Sequence, residues 1–438
     1  MRRTLEEWLA YQQQIHARGI DMGLDRVREV WKRMGAPRLA PTVITVAGTN
    51  GKGSTVAFLE AMLGAGGMRV GAYTSPHILR YNERVRAGGG ETGDAALIDA
   101  FERVEAARGD TTLTYFEFGT LAAFLIFAQS NLDVVLLEVG LGGRLDAVNV
   151  VDADCAVVVT VDLDHMEYLG PDREAIGREK AGIFRTGKPA IIGETDPPAS
   201  VLEYARAIGA RAEVLGRDFG WEPQIDALAW WHRDPRQTRH VAPAGSSSDI
   251  VLHGELALEG AFQYRNAATA IAALQALGDH VRWDARALVK PGVDASAPLL
   301  AGRLQHLAEH PDLVIDVGHN PQAARELARW LDRHPVAGAT RAVFGALADK
   351  DIEGVAAALG ARIDHWYLAD LLGESPRGET IARLLKRVRA VLPEAACSEH
   401  PDIPAALAAA RAQASPADRI IAFGSFHVVA PVLKACRV

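Results

Sequence analysis

The residues with the clearest chemistry lie in a glycine-rich segment between an apolar run at 42–47 and a helical pattern at 56–63. The segment reads Val46-Ala47-Gly48-Thr49-Asn50-Gly51-Lys52-Gly53-Ser54-Thr55. Glycines let backbone amides turn inward around an anion, and the start of a helix adds unpaired N–H groups and the positive end of its dipole. Lys52 adds a mobile positive charge. The pattern G-T-N-G-K-G-S, with Gly53 between Lys52 and Ser54, therefore indicates a variant phosphate-binding loop for ATP.

Phosphoryl transfer also needs a divalent metal ion and groups that hold it. Glu138 closes the apolar run 133–137 and is the leading metal candidate, although an ordinary strand-end carboxylate is the alternative interpretation. His165 follows Asp162 and Asp164, and an imidazole beside two carboxylates could join a metal site or serve a structural role. These residues make a metal site next to the phosphate loop our working hypothesis.

Other polar residues have weaker local signals. Ser75 stands before a proline, a pair that usually makes a turn. Lys180, on its pattern alone, is expected to be a solvated charge on a helix. Asp316 and His319 flank a glycine at a predicted strand-to-helix turn, where either a functional role or local helix capping would explain them.

The elements that must position these residues form a predicted α/β fold. Strand-like runs, each followed by a turn and a helical pattern, occur at 69–73, 133–138, 156–161 and 189–192. This alternation predicts a mostly parallel sheet flanked by helices, in a mononucleotide-binding domain built on the P-loop. Ser75, Glu138 and His165 fall just past strand ends, at the edge where open α/β sheets bind ligands.

A second alternation predicts a smaller, C-terminal Rossmann-like α/β domain. Its predicted strands lie at 313–316, 341–344, 365–368 and 419–423, with a helix over 322–331. The turn-rich segment 290–298 suits a linker, so we predict domains at 1–294 and 295–438. The region 220–260 breaks the pattern and is interpreted as a β-hairpin excursion that ends in an alternating run at 250–258.

Composition narrows the class of protein. The 438 residues carry a net charge of -8 with both signs interspersed, so we expect no nucleic-acid partner. The three cysteines, Cys155, Cys397 and Cys436, are too widely spaced for a disulfide framework. The first residues contain acids where a signal peptide needs an apolar run, and no segment approaches a membrane span. We predict a soluble, cytoplasmic protein, without a membrane partner and monomeric by default.

Several motifs, taken in order, resemble the folylpolyglutamate synthase and dihydrofolate synthase family. They are G-T-N-G-K-G-S, T-S-P-H-I, N-E-R-V-R, E-V-G-L-G-G-R-L-D-A, D-H-M-E-Y-L-G, E-K-A-G-I-F-R, D-V-G-H-N-P and F-G-S-F-H, and with their flanks they run from about residue 8 to 427. Any one could arise by chance, but their shared order is specific. The family belongs to the ATP-dependent amide ligases, which also include the muramyl-peptide ligases, and the resemblance implies a bacterial bifunctional member.

The resemblance implies roles for the phosphate and metal residues. Thr49, Asn50, Gly51 and Lys52 match the phosphate loop of the family. Asn266, Arg303 and Asp316 match its other ATP contacts, which implies that both domains hold ATP. Ser75, Glu138 and His165 match magnesium ligands, with Ser54 as a secondary metal candidate. Lys180 matches a lysine that the family carries as a carbamate beside the second of two magnesium ions.

The resemblance also implies where the organic substrates bind. An aromatic ring flanked by polar groups suits a flat heterocycle. The implied pterin contacts are Gln14, Ile15, His16, Ala17, Thr114, Tyr115, Phe116, Glu117, Leu145, Asp146 and Ala147. The family usually has L-D-A-T-N where this chain has L-D-A-V-N at 145–149, so one hydroxyl beside the implied pocket is missing. His319 and Ser425 are the implied contacts for glutamate.

The expected reaction is amide formation through an acyl phosphate. ATP would phosphorylate a carboxylate, and L-glutamate would attack it to give dihydrofolate from dihydropteroate, or the next γ-linked glutamate on a reduced folate. One alternative is a muramyl-peptide ligase, but about forty residues before the phosphate loop are too few for the additional domain of such enzymes. The other is a non-catalytic ATP switch, which predicts an exposed apolar surface and has no need of Lys180 or His165.

Overall fold

The structure of the protein, a computed structural model, describes residues 2–224, 227–232, 250–289 and 300–436. The chain divides into two units. The first consists of Met1–Ala257 and Tyr264–Ala295, and the second of Leu258–Gln263 and Ser296–Val438. The turn-rich segment 290–298, and with it the predicted boundary between 294 and 295, lies outside the described residues.

The first unit is built on an eight-stranded sheet. Its strands are β1 (Thr42–Ala47), β2 (Val70–Tyr73), β3 (Val85–Ala87), β4 (Gly90–Glu91), β5 (Val134–Glu138), β6 (Cys155–Val158), β7 (Pro189–Ile192) and β8 (Arg211–Val214). The order across the sheet is β4-β3-β2-β5-β1-β6-β7-β8, and only the pairings of β3 with β2 and β4 are antiparallel. The central strands β1 and β5 are buried along their whole length, as strands covered by helices on both faces must be.

Nine α-helices accompany this sheet in the described part of the first unit. They are α1 (Leu5–Gln12), α2 (Asp25–Arg33), α3 (Lys52–Ala65), α4 (Asp94–Arg108), α5 (Tyr115–Gln129), α6 (Met166–Leu169), α7 (Arg173–Ala181), α8 (Ala199–Ile208) and α9 (Ala261–Leu277), whose first turn falls in the second unit. Short 3-10 helices cover Tyr81–Arg84, Ala147–Val150, Gly278–His280 and Ala285–Leu288. Across the described ranges, no helix has both the length and the apolar character that a bilayer span requires.

Two boundaries differ from the sequence predictions in ways that matter for the site. Helix α3 begins at Lys52 rather than at 56, because the glycine loop itself turns into the helix. The strand predicted at 156–161 ends at Val158, because the residues that follow leave the sheet to bind the glycine loop.

The excursion predicted near 220–260 is an antiparallel sheet. Its strands are β9 (Phe219–Gln224), β10 (Ala227–His232) and β11 (Ile250–His253), in the order β11-β10-β9. The hairpin interpretation is confirmed for the β9–β10 pair, although the connection at 225–226 and the segment 233–249 lie outside the described residues. The alternating run at 250–258 is a strand only as far as His253.

The second unit is a six-stranded, largely parallel sheet with helices, as a Rossmann-like domain requires. Its strands are β12 (Gln305–Glu309), β13 (Asp312–Asp316), β14 (Thr340–Phe344), β15 (His365–Ala369), β16 (Cys397–His400) and β17 (Arg419–Phe423), in the order β12-β13-β17-β14-β15-β16. Its helices are α10 (Pro321–Arg333), α11 (Ile352–Leu359), α12 (Ile381–Val391), α13 (Ile403–Gln413) and α14 (Phe426–Cys436), with a 3-10 helix at Gly360–Arg362. Only β12 pairs antiparallel, so the predicted fold class is confirmed.

Candidate active site

The glycine loop connects β1 to α3 through a left-handed residue. Gly51 caps the helix with a φ of +86°, and its carbonyl oxygen accepts a 2.9 Å hydrogen bond from the amide of Thr55. A Cβ atom at position 51 would lie 2.6 Å from Oδ1 of Asn266 and 2.8 Å from Cγ1 of Val159. Only glycine satisfies both the backbone angle and the space, and Asn266 on α9 is thereby placed against the loop.

Lys52 turns back over the loop that precedes it. Its Nζ atom donates hydrogen bonds to the carbonyl oxygens of Gly48 at 2.9 Å and Thr49 at 3.3 Å. Ser54, the secondary metal candidate, is buried in the first turn of the same helix. The ammonium group is therefore held beside the helix N-terminus, where both the backbone amides and the side chain favour an anion.

Two contacts that the sequence does not predict attach this loop to the segment after β6. The hydroxyl of Thr160 accepts from the Asn50 amide at 2.9 Å and donates to the Asn50 carbonyl at 3.0 Å. The hydroxyl of Thr49 donates to the Asp162 carbonyl and accepts from the Asp162 amide, both at 3.0 Å. No motif marks Thr160 or Asp162 as partners of a loop 110 residues earlier; only the pairing of β1 with β6 brings them there.

Glu138 and Ser75 meet at the carboxyl ends of neighbouring parallel strands. Glu138 closes β5, is 5% exposed, and accepts a 3.0 Å hydrogen bond through Oε2 from the Ser75 amide. In the register of the sheet, Glu138 stands beside Val46 on β1, the strand that leads into the glycine loop. A buried carboxylate beside a phosphate loop is the donor type that Mg²⁺ prefers.

His165 follows the Asp162 region and begins α6 with a left-handed φ of +51°. Its amide donates to Oδ1 of Asp164 at 2.9 Å, and its Nε2 atom lies 3.9 Å from the same oxygen. Across the described residues there is no group of three or more His, Cys, Asp or Glu side chains that could hold a metal ion by themselves. A metal at this edge would therefore depend on the carboxylate, the imidazole, hydroxyls and phosphate oxygens together.

Lys180 is buried, so its interpretation as a solvated helix charge is wrong. The side chain lies near the end of α7, and the residue is 4% exposed. Burial, followed by the positive charge of Lys52, lowers the pKa of Lys180 to about 7, while Asp164 and Asp146 act in the opposite direction. The two lysines and two carboxylates thus interact electrostatically within one region of the first unit.

The glycine-rich turn from Val139 to Asp146 lies against the end of α7 and contributes a carboxylate near Lys180. Asp146 is buried, and its two oxygens accept from the amides of Leu141 at 2.9 Å and Val148 at 3.0 Å. Burial raises the pKa of Asp146 to about 6 although these backbone hydrogen bonds oppose it. A Cβ atom at Gly143 would lie 2.9 Å from the carbonyl oxygen of Lys180, so glycine allows the turn to approach the end of α7.

The implied pterin residues lie in three segments with different environments. The first, at 14–17, is in the loop after α1, where Gln14 and Ala17 are exposed and Ile15 is half-buried. The ring of His16 forms two hydrogen bonds. Its Nδ1 atom lies 2.9 Å from Oγ1 of Thr112, and its Nε2 atom donates to Oδ2 of Asp21 at 3.1 Å. The loop is thus joined to the segment just before Thr114.

The second and third segments pack together. The ring centroid of Phe116 lies 5.8 Å from that of Tyr73. A Cβ atom at Gly140 would be 2.7 Å from Cζ of Phe116. Tyr115 meets Tyr81 edge-on at 6.0 Å. In the third segment Ala147 is buried and Leu145 is half-buried beside Asp146. Phe116 therefore lies between the strand edge and the glycine-rich turn.

The carboxylate of Glu117 accepts hydrogen bonds within the protein that the sequence analysis does not predict. Thr114 and Glu117 form a capping box on α5, with Glu117 Oε2 accepting from the Thr114 amide at 2.7 Å. Oε1 of Glu117 accepts from NH2 of Arg26 at 3.0 Å. Arg26 and Asp21 were not among the predicted site residues, although an S/T-x-x-E pattern at 114–117 could have identified the cap.

In the second unit, Asp316 closes β13 and Ser425 follows β17, the parallel strand beside it. Asp316 is buried, and its oxygens accept from the amides of Gly318 at 2.7 Å and Leu304 at 3.1 Å. Burial raises the pKa of Asp316, while the nearby charge of Arg303 lowers it. The guanidinium carbon of Arg303 lies 5.5 Å from the centre of the Phe426 ring.

The predicted glutamate contacts lie at the same edge. Nδ1 of His319 is 3.0 Å from the carbonyl oxygen of Val317, and Ser425 is buried, its hydroxyl accepting from the His427 amide at 3.1 Å. Asn320 caps α10 through a 3.0 Å bond from the Ala323 amide. Capping of α10 therefore belongs to Asn320, and His319 lies in the turn before it.

Comparison with known proteins identifies the family. The Mur ligase middle domain model matches residues 46–274, and the model of the Mur ligase glutamate ligase domain matches residues 302–426. The dihydrofolate synthase/folylpolyglutamate synthase of Escherichia coli (strain K12) is 45% identical over 430 residues, covering 98% of this chain and 95% of that protein.

Solved structures agree with these matches. Escherichia coli FolC in complex with DHPP and ADP has a TM-score of 0.89 and 42% identity, covering 99% of this chain and 98% of that chain. A bifunctional folylpolyglutamate synthase/dihydrofolate synthase with Mn, AMPPNP and L-glutamate bound has a TM-score of 0.86 and 41% identity, covering 100% of this chain and 98% of that chain. The resemblance seen in the motifs is confirmed, and this protein belongs to the dihydrofolate synthase/folylpolyglutamate synthase family, within the Mur ligases.

Proposed function

We propose that this protein is an ATP-dependent ligase that joins L-glutamate to dihydropteroate, giving dihydrofolate, and to the γ-carboxyl group of reduced folates. One observation carries the proposal. The phosphate loop with Lys52 and the buried carboxylate of Glu138 lie at one edge of one sheet, and the buried amine of Lys180 interacts electrostatically with Lys52, in a chain whose relatives carry both synthase names. A monomeric, cytoplasmic enzyme is part of the proposal and rests on composition alone.

ATP is the proposed phosphoryl donor. The backbone amides at 49–54 and the ammonium of Lys52 provide the positive environment that a triphosphate needs. Asn266, packed against Gly51, is a proposed ATP contact, and so are Arg303 and Asp316 on the second unit. The related proteins with bound ADP or AMPPNP support this assignment.

Two magnesium ions are the proposed metal cofactors, and the residues present fit such a site. Ser75, Glu138 and His165 would hold metal, with Ser54 as a secondary ligand; a buried carboxylate, an imidazole and hydroxyls are suitable donors once phosphate oxygens complete the set. Bound divalent ions would offset the charge of the transferring phosphoryl group. The Mn in a related structure supports divalent metal binding.

Lys180 is the proposed site of a carbamate. A carbamate forms from the neutral amine and carbon dioxide, and a pKa of about 7 leaves much of the Lys180 side chain neutral near physiological pH. The modification would release a proton and replace a buried amine with an anion. Asp146 and Asp164 lie close enough to influence this charge, so its sign matters for the whole region.

The chemistry follows from what an amide bond requires in water. The γ-phosphoryl group of ATP passes to a carboxylate oxygen of the pterin or folate substrate, giving an acyl phosphate and ADP. The amine of L-glutamate attacks the acyl carbon, a tetrahedral intermediate forms, and phosphate leaves with the C–O bonding pair as the amine loses its proton. Lys52 stabilises charge on the transferring group, and the catalytic set comprises Lys52, Glu138, His165 and Lys180.

The organic substrates are assigned to the segments described above. The pterin ring is proposed to contact 14–17, 114–117 and 145–147, where Phe116 offers an aromatic face and Asp146 a buried carboxyl group. Glutamate is proposed to contact His319 and Ser425. The valine at 148, in place of the usual threonine, is buried and accommodated by the 3-10 helix that Asp146 caps.

The test is ADP release with each substrate omitted in turn, followed by mass spectrometry of the products. We expect ADP release to require both L-glutamate and a folate-type acceptor. One glutamyl unit should be gained by dihydropteroate and, in a separate reaction, by tetrahydrofolate. ADP release that needs neither substrate would contradict the proposal, and a gain on only one acceptor would overturn its bifunctional part.

A further inference from the structure

Arg26 joins two segments of the first unit that are distant in sequence. It stands in the first turn of α2, and its guanidinium group reaches two carboxylates at once. Nη1 of Arg26 donates to Oδ2 of Asp21 at 2.8 Å. Nη2 of Arg26 donates to Oε1 of Glu117 at 3.0 Å and to the Asp21 carbonyl oxygen at 2.7 Å. Asp21 belongs to the loop between α1 and α2, and Glu117 to the first turn of α5.

The contact is largely shielded from water. The side chain of Glu117 is 5% exposed, and those of Arg26 and Asp21 are 26% and 27% exposed. His16 extends the network, since its ring bridges Asp21 and Thr112 and its side chain is 11% exposed. A shielded ion pair with several hydrogen bonds is costly to break from one side, because the remaining charge stays buried.

The network attaches the first turn of α5 and the loop before α2 in different ways. Glu117 is already fixed to the Thr114 amide by the capping box, so Arg26 binds a carboxylate whose position is set by α5. The loop from Gln13 to Leu24 contains no helix or strand and gains its attachment through Asp21 and His16. A planar fork of five N–H donors can serve both carboxylates and a carbonyl, which an ammonium group cannot do with the same geometry.

We propose that Arg26 is a positioning residue for the pterin subsite: it fastens the loop 13–24 to the first turn of α5, so that the two segments assigned to the pterin ring keep a fixed separation. Arg26 acts through Asp21 and Glu117, and it need not touch substrate. This inference rests on the proposed function, because it takes the assignment of 14–17 and 114–117 to the pterin from there.

The experiment compares Arg26→Gln and Arg26→Lys with the matched control Arg28→Gln. Arg28 lies on the same helix and its side chain pairs with the solvent-exposed Asp25, so the control removes an arginine from α2 without touching the network. Steady-state ADP release is measured with dihydropteroate, ATP and L-glutamate varied in turn. We expect Arg26→Gln to raise the KM for dihydropteroate about tenfold or more, with Arg26→Lys intermediate. The KM values for ATP and L-glutamate should stay within about twofold of the wild type.

If the role of Arg26 is purely structural, Arg26→Gln should lower the melting temperature without raising the KM for dihydropteroate relative to those for ATP and L-glutamate. That result would overturn the inference. Equal behaviour of Arg26→Gln and Arg28→Gln would overturn it as well. A double variant, Arg26→Gln with Asp21→Asn, should be no worse than Arg26→Gln alone, because Asp21 lies outside the segments assigned to the pterin and one variant already breaks the fastening. If the wild type itself shows no ADP release dependent on dihydropteroate, it is the proposed function that fails, and the two failures are thereby distinguished.

Discussion

The Nζ atom of Lys52 lies 2.9 Å from the carbonyl oxygen of Gly48 and donates a hydrogen bond to it. The two residues are four apart in the chain, so this bond closes the glycine loop into a ring with the ammonium group at its mouth. Burial lowers the pKa of Lys180, and the charge of the Lys52 ammonium group lowers it further. One lysine therefore links the phosphate loop to the region where a second lysine is buried.

Lys52→Met should remove most of the activity while keeping the fold. The methionine side chain is similar in length but supplies no charge for the transferring phosphoryl group, so we expect ADP formation to fall by roughly 100-fold or more. The control is Lys188→Met, since Lys188 is half-exposed and its ammonium group pairs with Asp154, away from the glycine loop. Comparable activity in both variants would show that Lys52 does not act on phosphate.

Gly51→Ala and Gly67→Ala separate backbone strain from crowding. Both glycines have positive φ, +86° and +76°, but a Cβ atom at 67 meets nothing within 4 Å, whereas at 51 it meets Asn266 and Val159. Both substitutions should lower the free energy of unfolding by about 1 kcal/mol through strain. Only Gly51→Ala should also raise the KM for ATP severely, as measured by ADP release. Equal KM values for ATP in the two variants would refute the crowding argument.

Lys180→Met should become more stable than the wild type at low pH. The pKa of Lys180 is about 7 in the folded protein and near 10.5 when unfolded, so between these values the unfolded chain binds the extra proton. The wild type therefore gains stability as pH rises from about 7 towards 10, and the variant lacks this gain. Urea unfolding without metal or bicarbonate, at pH 6 and pH 9, measures the difference. If the free energies of unfolding of the wild type and Lys180→Met differ by the same amount at both pH values, the burial argument is contradicted.

Glu138→Gln should weaken the response to metal. The amide keeps the size of the side chain and an oxygen acceptor for the Ser75 amide but loses the negative charge that attracts Mg²⁺. We expect the magnesium concentration for half-maximal ADP release to rise about tenfold or more. Glu203→Gln makes the same change on the exposed face of α8 and should leave that concentration unchanged. An unaltered magnesium dependence in Glu138→Gln would remove Glu138 from the metal site.

The sequence by itself determined the local parts of this protein. The apolar run at 42–47 is β1 without change, the glycine loop follows it, and the carboxylate of Glu138 ends a buried strand, because hydrophobic periodicity and turn chemistry act between near neighbours. The alternation of strands and helices was enough for two α/β units. The family followed from the order of the motifs.

The tertiary structure decided which distant side chains meet. Lys180 looks like a surface charge until α7 is packed against the glycine-rich turn, and Arg26 is brought to Glu117 from 91 residues away. Thr160 holds the glycine loop only because β6 lies beside β1. Burial and long-range hydrogen bonds depend on how the elements pack, and no spacing along the chain encodes that packing.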